Sequence, residues 1–149
     1  MIEALIKAQT EEERLLEFLR STFLLIALVG FLFYGMEHWV LDHWTESWQS
    51  RIPFYVSLVG APLTFLMFFH RGPWVRYPFL LWMLASVLTG VLGAYYHLLW
   101  NAQDAEVSLW SLSGFLEAFK GSRPVLAALA HTHVGAVAFV VGITIRDGR

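Results

Sequence analysis

The sequence predicts an all-α integral membrane protein: an antiparallel four-helix transmembrane bundle with short interfacial amphipathic helices. Three observations carry that expectation. Of 149 residues, 57% are hydrophobic and 15% charged, where a soluble domain carries about 25% charged residues. Mean hydropathy is +0.56. Four apolar runs reach the roughly 20 residues that a helix needs to cross a bilayer.

The runs cover about 18–44, 52–69, 74–100 and 125–145, and the chain reads as a single domain over 1–149. The first run follows Glu11-Glu12-Glu13 and no small-x-small pattern comes after it, so it reads as a span rather than a cleaved leader. Thr45 to Arg51 and His70-Arg71-Gly72-Pro73 are short connections, which make consecutive spans antiparallel. Residues 101–124 form a long loop. Within it Leu109, Leu112, Phe115, Leu116 and Phe119 recur at spacings of three and four, the mark of a short helix lying on the interface. Ile2, Leu5 and Ile6, then Leu15, Phe18 and Leu19, predict a second such helix before the first span.

Basic residues orient the bundle. Lys7, Arg14, Arg20, Arg71, Arg76, Arg146 and Arg149 fall on one side, and Arg51, Lys120 and Arg123 on the other. The excess of Lys and Arg marks the cytoplasmic side, so both termini are expected there, in a bacterial inner membrane. Trp39, Trp44, Trp48, Trp100 and Trp110 collect at the opposite, outer side.

Composition excludes several classes. There is no cysteine, hence no disulfide, thiolate metal site or cysteine nucleophile. A net charge of -2 gives no reason to expect nucleic acid. No HExxH, P-loop, dinucleotide fingerprint, paired ExxH or CxxCH motif is present.

The chemistry lies in three histidines. His38 stands six residues before Trp44, His97 three before Trp100, and His131 seven after Pro124. At about 1.5 Å per helical residue, all three lie roughly 5–10 Å inside the outer interface. Ionisable side chains in a span face the bundle interior and are partnered. Gly35, Gly93 and Gly135 lie three or four residues to the midplane side of these histidines. That spacing shares a helix face and predicts a small-residue pocket beneath the imidazoles, with close helix packing as the competing explanation.

Glu37 and Asp42 lie beside His38, and Asn101 lies four residues after His97. They are candidates to receive the second N–H of a ligating imidazole, or, for the carboxylates, to ligate directly. His133 is two residues from His131 and therefore about 200° away around the helix; the glycine spacing favours His131 as the inward one. His43 and His70 sit at the two interfaces and read as solvated.

Four readings follow. Two histidines would be axial ligands of haem b. Three histidines and a carboxylate would hold copper, iron or zinc. One histidine would hold a pigment. Or the layer holds no cofactor and is hydrogen-bonded within the bundle. The small size, the short loops and the twelve Phe and seven Trp favour a subunit of a larger membrane complex, surrounded by lipid and other subunits, with electron transfer as its task. A small metalloenzyme would need an open coordination position and a route for substrate. A quinone is a further expected partner, with histidine and carboxylate as proton acceptors.

Overall fold

The computed structural model describes residue 6, residue 8 and residues 10–145. The first amphipathic residues Ile2 and Leu5, and the basic residues Lys7, Arg146 and Arg149, lie outside the described residues.

Helix α1 runs Glu11–Val40. Thr10 starts it with a reciprocal cap. Its Oγ1 accepts from the Glu13 N–H at 3.1 Å, and Glu13 Oε2 accepts from the Thr10 N–H at 3.3 Å. Glu11, Glu12 and Glu13 in the first turn complement the helix dipole. Leu15, Phe18 and Leu19 therefore belong to the first span rather than to a separate interfacial helix. Helix α1 ends earlier than the apolar run: Asp42 adopts a left-handed conformation (φ 52), and a 3-10 turn, His43–Thr45, follows. Asp tolerates that region better than most residues.

Helix α2 is Trp48–Phe69, capped by a Ser47–Ser50 exchange of hydrogen bonds at 3.0 and 3.1 Å. Helix α3 is Pro73–Asp104, with Pro73 in the first turn, where its missing N–H costs nothing. Helix α4, Leu112–Phe119, is the short amphipathic helix expected in the long loop. Span four consists of α5, Val125–Ala128, and α6, Ala130–Thr144, divided only at Leu129. No strand occurs among the described residues.

The four spans are each long and apolar enough to cross a membrane. Their outer surface agrees with such a solvent: Trp74 is 93% and Leu81 70% exposed. Patches of this extent are not carried by soluble monomers.

Packing is a square. Helix α1 packs on α2, α2 on α3, α3 on α6, and α6 on α1, while α1/α3 and α2/α6 stand on the diagonals. The two ends of the square differ. Phe31 fills the middle of the bundle against Gly60, and toward the end holding the His70–Gly72 turn Leu24, Met67, Phe79 and Met83 are fully buried. There Arg20 and Arg76 cap the last carbonyls of α6: Arg20 bonds Thr144 O, and Arg76 Nε donates to Gly142 O at 3.0 Å. Toward the loop end, polar bonds cross between helices instead. Ser86 Oγ donates to His131 O at 3.0 Å, and Thr132 Oγ1 to Val87 O at 3.2 Å.

Candidate functional site

The loop end of the bundle is hollow. A cavity of about 560 Å³ opens there, and His38, His97 and His131 all line it. They come from three different spans, so the depth counted along each helix corresponds to one place in space. His38 on α1 and His97 on α3 belong to diagonal helices and therefore reach the cavity from opposite corners.

Each imidazole is held by one nitrogen. His38 Nδ1 lies 2.9 Å from Tyr34 O, and His97 Nδ1 3.1 Å from Pro124 O. A carbonyl oxygen only accepts, so both Nδ1 atoms carry the proton and both Nε2 atoms keep a lone pair. His131 is reversed. Its Nε2 lies 3.1 Å from Pro53 O and 3.1 Å from Ser57 Oγ, both on α2. The carbonyl places the proton on Nε2 and leaves the lone pair on Nδ1. His131 is 4% exposed, with Tyr34 and His38 against its ring at centroid distances of 5.1 and 5.9 Å. Orientation by a backbone carbonyl is the arrangement by which proteins fix the tautomer of a ligating histidine.

The carboxylates and Asn101 do not fill that role. Glu37 lines the cavity but no hydrogen bond joins it to a histidine. Asp42 stands beyond the end of α1 in a left-handed conformation, and at the start of the 3-10 turn its backbone carbonyl, not its carboxylate, accepts from Thr45. Asn101 is a clamp on the long loop. Its Nδ2 donates to Ala118 O and Arg123 O, both at 2.9 Å, and its Oδ1 accepts from the Arg123 N–H at 3.1 Å. His133 is exposed and bonds Leu129 O within its own helix, so His131 is the inward member of the pair.

The glycines divide. Gly93 lines the cavity, and a Cβ there would meet Ala128 Cβ at 3.3 Å. Gly35 instead faces Ser57, and Gly135 lets α6 approach α3, where a Cβ would stand 2.7 Å from Met83 O. Close helix packing accounts for these two. Among the described residues no three His, Cys, Asp or Glu side chains converge as a ready metal cage.

By sequence His43 reads as solvated at the interface, and Arg123 and Ser57 are not singled out as site residues. His43 lines the cavity, stands 5.4 Å from the His38 ring and pairs with Glu46 at 2.8 Å. Arg123 lies at the cavity wall, over the Trp100 ring at 5.7 Å and paired with Asp104. Ser57 is the partner of His131; the signal for it was a serine in the middle of an apolar span.

Comparison with family models, with curated proteins and with solved structures finds no match to this chain.

Proposed function

We propose that the outer cavity is a haem b site in which His38 and His97 would hold the iron, and that the protein transfers electrons within a larger membrane complex. The observation that carries this reading is the pair of Nε2 lone pairs brought to one cavity from diagonal helices, each ring fixed by a backbone carbonyl. Facing helices of a bundle are where cofactor ligands are usually built. The cavity volume suits a cofactor-sized ligand, since such pockets run about 300–1,000 Å³. Haem would supply a one-electron couple. The chain's own residues would do the rest. His38 and His97 would hold the iron, Leu92 and Ile52 would exclude water, and Arg123 would pair with a ligand carboxylate.

A compact copper, iron or zinc site is the second reading. It is supported by the 5.9 Å between the His38 and His131 rings. Two imidazoles on one ion at about 2.0–2.1 Å per bond have ring centres at comparable separation. The basic-residue asymmetry supports cytoplasmic termini and a bacterial inner membrane, and the exposed aromatic exterior supports neighbouring subunits. A quinone partner would find an apolar groove of about 510 Å³ between α1 and α2, whose wall includes Ser57.

The test is the redox difference spectrum and metal content of the purified protein. The haem reading expects a Soret band that His38→Ala and His97→Ala abolish and His131→Ala retains. Stoichiometric metal without a Soret band, lost in His131→Ala, selects the compact site. Neither signal leaves a cofactor-free structural subunit.

A further inference from the structure

The wall of the histidine cavity carries a titratable pair that the proposed function leaves unused. His43 and Glu46 both line it. They belong to the 3-10 turn beyond the end of α1, outward of His38, and the His38 and His43 rings are 5.4 Å apart. His43 Nδ1 lies 2.8 Å from Glu46 Oε2, and the two side chains are 39% and 61% exposed. A carboxylate accepts, so in the neutral ring Nδ1 carries the proton and Nε2 keeps a lone pair. An imidazole oriented through one nitrogen by a carboxylate, with the other nitrogen open, is the arrangement of a general base.

Such a base calls for an O–H donor, and the cavity limits its kind. Ile52 on α2 and Leu92 on α3, which are neighbouring spans, line the cavity and are 41% and 53% exposed. Leu41 and Trp48 line it beside the turn at 66% and 63%. The opening is therefore apolar, in a bundle whose spans suit a bilayer, and it fits an amphiphile rather than a sugar or a free acid. Beside a site read as a redox centre, the amphiphile whose O–H protons leave together with electrons is a hydroquinone. Among the described residues no titratable side chain lines the groove between α1 and α2, so that groove can hold a ring but cannot take its protons.

We infer that a membrane hydroquinone docks at the cavity mouth with a hydroxyl on His43 Nε2, and that His43, oriented by Glu46, accepts its protons. One hydroquinone gives up two electrons and two protons and leaves as the quinone. The electrons pass one at a time to the redox centre of the proposed function and on to a one-electron acceptor in the complex. Each proton leaves its oxygen for Nε2 and passes from the part-exposed ring to water at the mouth before the next arrives. Electron transfer here rests on the haem reading; docking rests on the His43–Glu46 pair.

The experiment compares two probes on the purified full chain: a decyl-substituted benzohydroquinone, and its dimethyl ether, which has no O–H. Binding is read by quenching of tryptophan fluorescence. Wild type is expected to bind the hydroquinone about tenfold more tightly than the ether, the equivalent of one hydrogen bond. His43→Phe keeps a ring at the mouth but no acceptor, and its preference should fall to near unity, while Glu37→Gln should keep the wild-type preference. In protein that shows a Soret band, reduction by the hydroquinone should slow about 100-fold in His43→Phe, with the band unmoved. Equal affinity for the two probes in wild type, or an unchanged preference in His43→Phe, would overturn the site. Loss of the preference in Glu37→Gln, or an unchanged rate in His43→Phe, would overturn His43 as the proton acceptor. Absence of a Soret band would refute the haem reading and leave the comparison of the two probes standing.

Discussion

Asn101 offers the sharpest test of how the site is assembled. Its side chain is 2% exposed, and its amide makes three hydrogen bonds to the backbone of Ala118 and Arg123. The same loop segment ends at Pro124, whose carbonyl accepts from His97. Removing the amide should therefore loosen the loop and release the ring together. Asn101→Ala deletes all three bonds. At the average of about 0.6 kcal/mol per bond measured inside one membrane protein the loss is about 2 kcal/mol, and at the soluble-protein value of about 1 kcal/mol it is about 3 kcal/mol. Asn101→Asp should cost more, because a carboxylate oxygen then faces two carbonyl acceptors. Unfolding titrations in mixed micelles would measure the stability, and amide hydrogen exchange across residues 105–124 the loop. If Asn101→Ala unfolds with the wild-type midpoint, or if loop exchange is unchanged, the clamp does not hold the site.

Five other substitutions test separate parts of the packing. His131→Ala removes a buried ring and its two partners on α2 and should lower stability by about 2–3 kcal/mol; His133→Ala, on an exposed residue, should stay within about 0.5 kcal/mol, both by the same titration. Gly135→Ala places a Cβ 2.7 Å from the Met83 carbonyl, which cannot rotate away, so α3 and α6 must part at about 1–3 kcal/mol. By contrast, Gly72→Ala, in open space with φ -67, should be neutral or slightly stabilising in a thermal melt. Glu17→Leu leaves Arg71 without its only ion pair among the described residues and should cost about 3 kcal/mol, read as a lower melting temperature at fixed detergent.

The spans and the histidine layer were legible because both depend on distance along one helix. Hydropathy marks where a span begins, and the rise per residue places His38, His97 and His131 at one level. Direction around the helix was harder to read. Gly35, Gly93 and Gly135 have equivalent spacings from their histidines, yet only Gly93 lines the cavity. A small residue can serve a cavity or a close helix contact, and spacing along one chain does not tell which neighbour it meets. Asp42 was misplaced because α1 ends at Val40, so the helical spacing that put it beside His38 stops before reaching it. The orienting groups were invisible for a more general reason. They are backbone carbonyls of Tyr34, Pro53 and Pro124, and every residue has one.

The bundle's asymmetry explains why the site lies where it does. Large side chains such as Leu24, Phe79, Met67 and Met83 fill the square toward the turn end, where the arginines also tie α6 to its neighbours. Toward the loop end the inward positions hold histidine, tyrosine and small residues, which do not fill the same cross-section, and a cavity results. The histidines then divide the work. His131 is committed to α2 through two partners on its Nε2, so moving it would disturb the packing of α6. His38 and His97 are each held by a single bond from Nδ1, which orients the ring while the distal nitrogen stays available. A ligand between these two would gain from rings already oriented, while His131 holds the wall beside it. His38→Ala and His97→Ala should therefore cost less stability than His131→Ala while costing more binding. The reverse order would assign the whole layer to packing.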